Sequence, residues 1–157
     1  MGDIAAGPGW VIDGQTLLPR IVDLTAFRRG MAADPLRDVL ESLWSGRPDD
    51  AAALLRAQRP TLRVRALQAD CHLVAGRVAL AVADYGRLVN EATGTPQEAV
   101  IRQHYGKALF SAGRYADAAE QFARALELRE QAGADETRIA SSRQALAVAR
   151  RAAGGET

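Results

Sequence analysis

The feature that most constrains this chain is the stretch from Gln103 to Leu126, in which two amphipathic helical patterns stand back to back across Gly113. Large apolar residues recur at three- and four-residue steps on both sides of that glycine, as on one face of a helix. Small residues, Gly106 and Ala118, stand where two such helices would cross. They allow the backbones to approach, and Phe122 then fills the space between them. A hairpin of this kind buries its apolar face only against neighbours, so the rest of the chain has to supply them.

Laying the glycine turns over one another shows where those neighbours come from. Gly76-Arg77-Val78 with Tyr85 and Arg87 matches Gly113-Arg114-Tyr115 with Phe122 and Arg124, and Gly46-Arg47-Pro48 with Ala51 and Leu55 matches more distantly. The turns are spaced by 30 and 37 residues, on either side of the roughly 34-residue period of a helix-turn-helix repeat. The pattern resembles the tetratricopeptide repeat over about residues 34 to 152. The segment from Leu126 to Arg150 is similar to the longer, roughly forty-residue variant of these repeats found in bacterial regulatory proteins.

That resemblance implies an all-α fold: a right-handed superhelical stack of about three helix hairpins plus a C-terminal capping helix. It also implies a concave groove lined by the first helix of each hairpin. By register, the groove positions are Leu40 and Trp44, then Arg63, Ala66, Asp70 and Leu73, then Gln103, Lys107 and Phe110. The chain departs from the family pattern at Arg102, Leu109 and Glu130, where tryptophan, tyrosine and proline are usual. Leu36 and Leu40 occupy the positions of the family's carboxylate clamp, which argues against a C-terminal acidic peptide as ligand.

Helix punctuation supports the same organisation from Asp34 onward. Asp34-Pro35, Pro48, Pro60, Thr95-Pro96-Gln97-Glu98 and Asp135 each combine a capping side chain or a first-turn proline with an apolar face that follows. Residues 1–33 read differently, as an arm broken by glycines and prolines. Within it, Trp10-Val11-Ile12 and Gln15-Thr16-Leu17-Leu18 flank Asp13-Gly14, which suits a two-residue hairpin turn. Ile21, Val22, Leu24, Phe27 and Met31 then suggest a short helix beginning after Pro19 or capped by Thr25. An isolated hairpin is marginal in water, so the arm is expected to cover the first helix pair, in cis or on a second protomer as a homodimer contact. Residues 153–157 read as a flexible tail.

The chain's chemistry is sparse. Its formal net charge is +1, so no global field calls for nucleic acid or an anionic surface. Its single cysteine excludes an internal disulfide, and no window approaches the roughly 20 apolar residues of a membrane span. A cytoplasmic setting is the expectation. Cys71 and His72 are adjacent on a helical pattern and so diverge by about 100° around it, which argues against a shared metal. His104 has no partner acid placed by the sequence, and the acid pairs Asp49-Asp50 and Asp135-Glu136 sit at helix starts, where carboxylates favour the dipole. Arg138, Arg143, Arg150 and Arg151 form one basic cluster without interleaved aromatics.

No catalytic residue, cofactor or metal is expected. The expected function is a non-catalytic protein- or peptide-binding scaffold: an adaptor, a chaperone-like or a regulatory module. Its rivals are a small-molecule sensor or enzyme using the groove, and a structural homodimer. Trp44 closes an apolar face and reads as core, with an exposed aromatic anchor as the alternative.

Overall fold

The computed structural model describes residues 2–155, which fold as three short strands and eight helices. Their order is β1 (Ile4–Gly7), β2 (Trp10–Ile12), β3 (Pro19–Ile21), α1 (Leu24–Gly30), α2 (Arg37–Trp44), α3 (Pro48–Arg56), α4 (Leu62–Val74), α5 (Val78–Ala92), α6 (Glu98–Ser111), α7 (Tyr115–Gln131) and α8 (Glu136–Gly154). The protein is mostly helical, as expected, with a small sheet added. Two compact units divide it, Met1–Arg77 and Val78–Thr157. Among the described residues no helix is long and apolar enough to cross a membrane.

In the first unit the strands form one antiparallel sheet in the order β1-β2-β3. The expected two-residue turn at Asp13-Gly14 does not form. The Asp13 carboxylate instead accepts the backbone N–H groups of Gln15 and Thr16, and the Leu17 N–H bonds the Asp13 carbonyl, which opens the connection into a wider loop. Leu17 takes a left-handed φ of 62° there, and its side chain is 1% exposed. Burying a leucine is worth about 1.5–3 kcal/mol, more than the roughly 1–2 kcal/mol of left-handed strain. The strand that pairs with β2 is therefore Pro19–Ile21, where a helix start was expected, and α1 is capped by Asp23, not Thr25.

The arm packs on the helices of its own unit. Phe27, 1% exposed, joins Val39, Leu40, Leu43, Leu55 and Leu67 in one core, with Trp10, Ile21, Met31 and Trp44 packed against it. Asp34 accepts the Leu36 N–H before α2, Pro48 opens α3, and Thr61 caps α4 by accepting the Val64 N–H.

In the second unit α6 packs against both α5 and α7, and α7 against α8. A Cβ added to Gly106 would lie 2.5 Å from the Phe122 ring, so only glycine lets that fully buried ring sit against α6. Arg102 donates to Glu98 at 2.8 Å and to Gln121 at 2.9 Å, tying α6 to α7 through polar atoms. Thr95-Pro96-Gln97-Glu98 has the residues of a capping box, in which Glu98 would reach back to Thr95, but the bonds are shifted: Glu98 accepts the Gly94 N–H, and Thr95 accepts from Gln97. Asp135 caps α8, which continues to Gly154; residues 156–157 of the expected tail lie outside the described residues.

One turn recurs. Gly46 donates to Leu43 and Arg47 to Ser42; Gly76 to Leu73 and Arg77 to His72; Gly113 to Phe110 and Arg114 to Leu109; Gly133 to Glu130 and Ala134 to Arg129. These four pairs share one bonding pattern, in which a left-handed glycine and the residue after it satisfy the last carbonyls of a helix.

Candidate functional site

The groove positions read from the sequence are divided between the two units. In the first unit Leu40 is 5% exposed and belongs to the core. Leu73 and Ala66 are likewise buried. Arg63 is exposed and holds Asp34 in a two-pronged ion pair, with nitrogen–oxygen distances of 2.9 and 2.6 Å. Asp70 is half-buried. Trp44 is half-buried between Trp10, whose ring lies 4.5 Å away centre to centre, and Phe27 at 5.8 Å. In the second unit Phe110 is half-buried against Tyr115, while Lys107 and Gln103 are buried.

Gln103 ends a polar relay. Arg129 donates to the Ser142 hydroxyl at 2.8 Å and to the Arg138 carbonyl at 2.9 Å, and Ser142 donates to the Gln103 Oε1 at 2.8 Å. Because the guanidinium has only donors, the hydroxyl proton must go to the carboxamide oxygen, which fixes the amide orientation. The Gln103 Nε2 is then left buried with no partner among the described residues. Beside it on α6, His104 stacks with Tyr85 at 6.2 Å, and its pKa falls to about 3, through burial first and then through the charges of Lys107 and Arg129.

Neither titratable feature resembles a catalytic centre. Burial, then the neighbouring Asp70, raises the Cys71 thiol to about 11, so it is not an activated nucleophile. His104 is a neutral imidazole at ordinary pH. Among the described residues no group of three or more His, Cys, Asp or Glu is placed to hold a metal ion.

A concave feature lies in the first unit, between the sheet and the C-terminal end of α2. It encloses about 420 Å³. Leu18, Pro19 and Ile21 form one wall, Leu43, Trp44 and Val74 the other, and Asp13, Thr16, Arg20, Ser45 and Gly46 the rim. Pockets of roughly 300–1,000 Å³ with apolar walls and a few polar groups are the usual form of a binding site. The polar groups here are partly spoken for. Arg20 pairs with Asp3, its Nε lies 3.9 Å from Asp13, and the backbone N–H groups of Thr16 and Gln15 hold the Asp13 carboxyl below its ordinary range.

Of the sequence candidates only Trp44 reaches this cleft. The wall from Leu18 to Ile21 escaped the sequence reading, although Pro19 followed by a polar–apolar alternation at Arg20 and Ile21 is compatible with the start of an edge strand. Comparison with family models, curated proteins and solved structures returns no match to this chain.

Proposed function

We propose that this chain is a non-catalytic protein- or peptide-binding module, built as a right-handed stack of tetratricopeptide-like hairpins. The observation that carries the binding reading is the open cleft with Trp44 in its wall. A half-buried tryptophan, braced by Trp10 and Phe27, offers rigid aromatic area at little entropic cost, the property that makes such residues dominate recognition surfaces. The repeat reading is supported by the four turns of identical bonding.

The test is a selection of displayed random peptides on the full chain, run in parallel on Ser45→Arg, which places a long charged side chain at an exposed position of the rim. A peptide consensus recovered with the native chain and lost with the variant is the expected result. No consensus with either protein, or one indifferent to Ser45→Arg, would remove the cleft from the account. A second reading, a small-molecule sensor, is favoured by the orphaned Gln103 amide. Thermal stabilisation by small carboxylates that vanishes in Gln103→Leu would select it.

A further inference from the structure

The wall of the cleft formed by β3 is a free strand edge, and its register determines which backbone groups face outward. β3 is at the margin of the sheet, with Val11 opposite Arg20. The flanking bonds run from Val22 N–H to the Gly9 carbonyl and from Asp13 N–H to the Leu18 carbonyl. Antiparallel pairs alternate between bonded and non-bonded, so Leu18, Arg20 and Val22 direct their backbone groups to β2 while Pro19 and Ile21 direct theirs away. Pro19 lacks an N–H. The free edge thus presents an acceptor, a donor and a second acceptor: the Pro19 carbonyl, then the Ile21 N–H and carbonyl.

From this the geometry points to strand addition: an extended peptide segment, apolar–basic–apolar in sequence, pairs antiparallel with Pro19–Ile21 and seats its apolar side chains in the cleft beside Trp44. This rests on the peptide-binding reading above and specifies its partner. Residues directly opposite in an antiparallel pair project to the same face. Ile21 packs toward the core, so the peptide residues opposite Ile21 and Pro19 face the apolar cleft. The residue between them lies opposite Arg20, on the other face.

On that face two carboxylates, Asp3 and Asp13, stand against the single Arg20 guanidinium. The excess negative charge complements a lysine or arginine at the middle peptide position. The same geometry disfavours a second copy of this chain as the occupant. Its own Pro19-Arg20-Ile21 has the right alternation, but symmetric pairing about Arg20 would set each Pro19, which has no N–H, opposite an Ile21 and leave both Ile21 carbonyls without a donor.

The experiment uses the full chain and a fluorescein-labelled heptapeptide whose centre is valine–lysine–leucine, read by fluorescence anisotropy. In the antiparallel register the valine faces Ile21 and the leucine faces Pro19, so both apolar N–H groups point to the edge and the lysine N–H points away. N-methylation of the leucine should weaken binding about tenfold or more, since it blocks a backbone bond and crowds the edge. N-methylation of the lysine should leave binding within about twofold, and replacing lysine by glutamate should weaken it, since the Arg20 charge is already taken up by Asp3 and Asp13 and a third carboxylate is repelled.

Equal losses from the two methylations would overturn strand addition. So would a parent peptide that does not bind, or a chain that sediments as a dimer which the peptide cannot dissociate. Failure here beside a successful display selection would discard the edge and keep the cleft. Failure of both would discard the binding reading itself.

Discussion

Behind the first capped turn, in the first unit, the side chains in contact are Trp10, Trp44, Phe27 and the aliphatic residues of α2. Between α6, α7 and α8 of the second unit the interior also holds a guanidinium, a hydroxyl and a carboxamide in line. Two glycine turns in each unit are closed by the same hydrogen bonds, so those turns do not distinguish the units, whereas the interiors do. An apolar interior loses stability in proportion to the contacts removed, whereas a buried polar relay fails when any member leaves its neighbours unpaired. The first unit has its open cleft beside the tolerant kind of packing, and the second holds its polar groups where water does not reach.

The largest expected effect tests whether apolar packing also dominates the second unit. Phe122 is fully buried against Gly106, so Phe122→Ala should cost about 3–5 kcal/mol in urea unfolding. A loss below about 1 kcal/mol would mean that the relay, not the ring, holds α6 to α7.

A smaller effect is expected from the relay itself. Ser142 is fully buried, and Ser142→Ala leaves the Gln103 Oε1 without its donor and removes one of the two acceptors of Arg129. The expected loss is about 1–3 kcal/mol, far more than the atoms of one hydroxyl would suggest. Gln103→Leu in the Ser142→Ala background should recover part of it, because removing both partners of a buried bond is milder than removing one. If the two substitutions simply add, the relay is not a unit and the contrast between the interiors weakens.

The helices, and the close approach of α6 to α7, were largely legible in the sequence because their signals are local. Pro48 and Asp135 start helices where expected, α4 starts from Thr61 beside the expected Pro60, and Gly106 and Phe122 meet as their sizes implied. The relay was not legible, since Gln103 and Ser142 are 39 residues apart and neither has a flanking pattern. The wall of the cleft was hidden for a different reason. A three-residue strand has no periodicity of its own, and Pro19–Ile21 is extended because β2 pairs with it and Ile21 packs on the core. Leu17 adopts a left-handed backbone that its residue type disfavours, which only its burial explains. Register counting also placed Leu40 on the groove, where the arm's Phe27 instead closes over the first hairpin and makes it core.

The smallest effect separates the units by pH. In the second unit His104 has its pKa depressed to about 3, against an unfolded value near 6.5, so the unfolded chain binds the extra proton between those values. Its contribution is complete above about pH 6.5 and is lost progressively as pH falls toward 3, on the order of 1–2 kcal/mol by pH 5. In the first unit the side-chain hydrogen bond from Arg63 holds the Asp34 carboxyl below its ordinary range. That contribution is present above about pH 4 and is lost only as pH falls through the lower folded value. It is worth at most about 1 kcal/mol, since the Arg63 side chain is half exposed and solvent screens the pair. Hydrogen exchange at pH 7 and pH 5, corrected for the intrinsic rate, should therefore show protection falling around His104 while the amides near Asp34 keep theirs. His104→Gln should remove the first change, and Arg63→Gln should lower stability above about pH 4 while changing little once pH has fallen below the folded Asp34 value, where the contribution is already lost. Equal loss of protection at both sites by pH 5 would mean that the two interiors do not respond separately to protons.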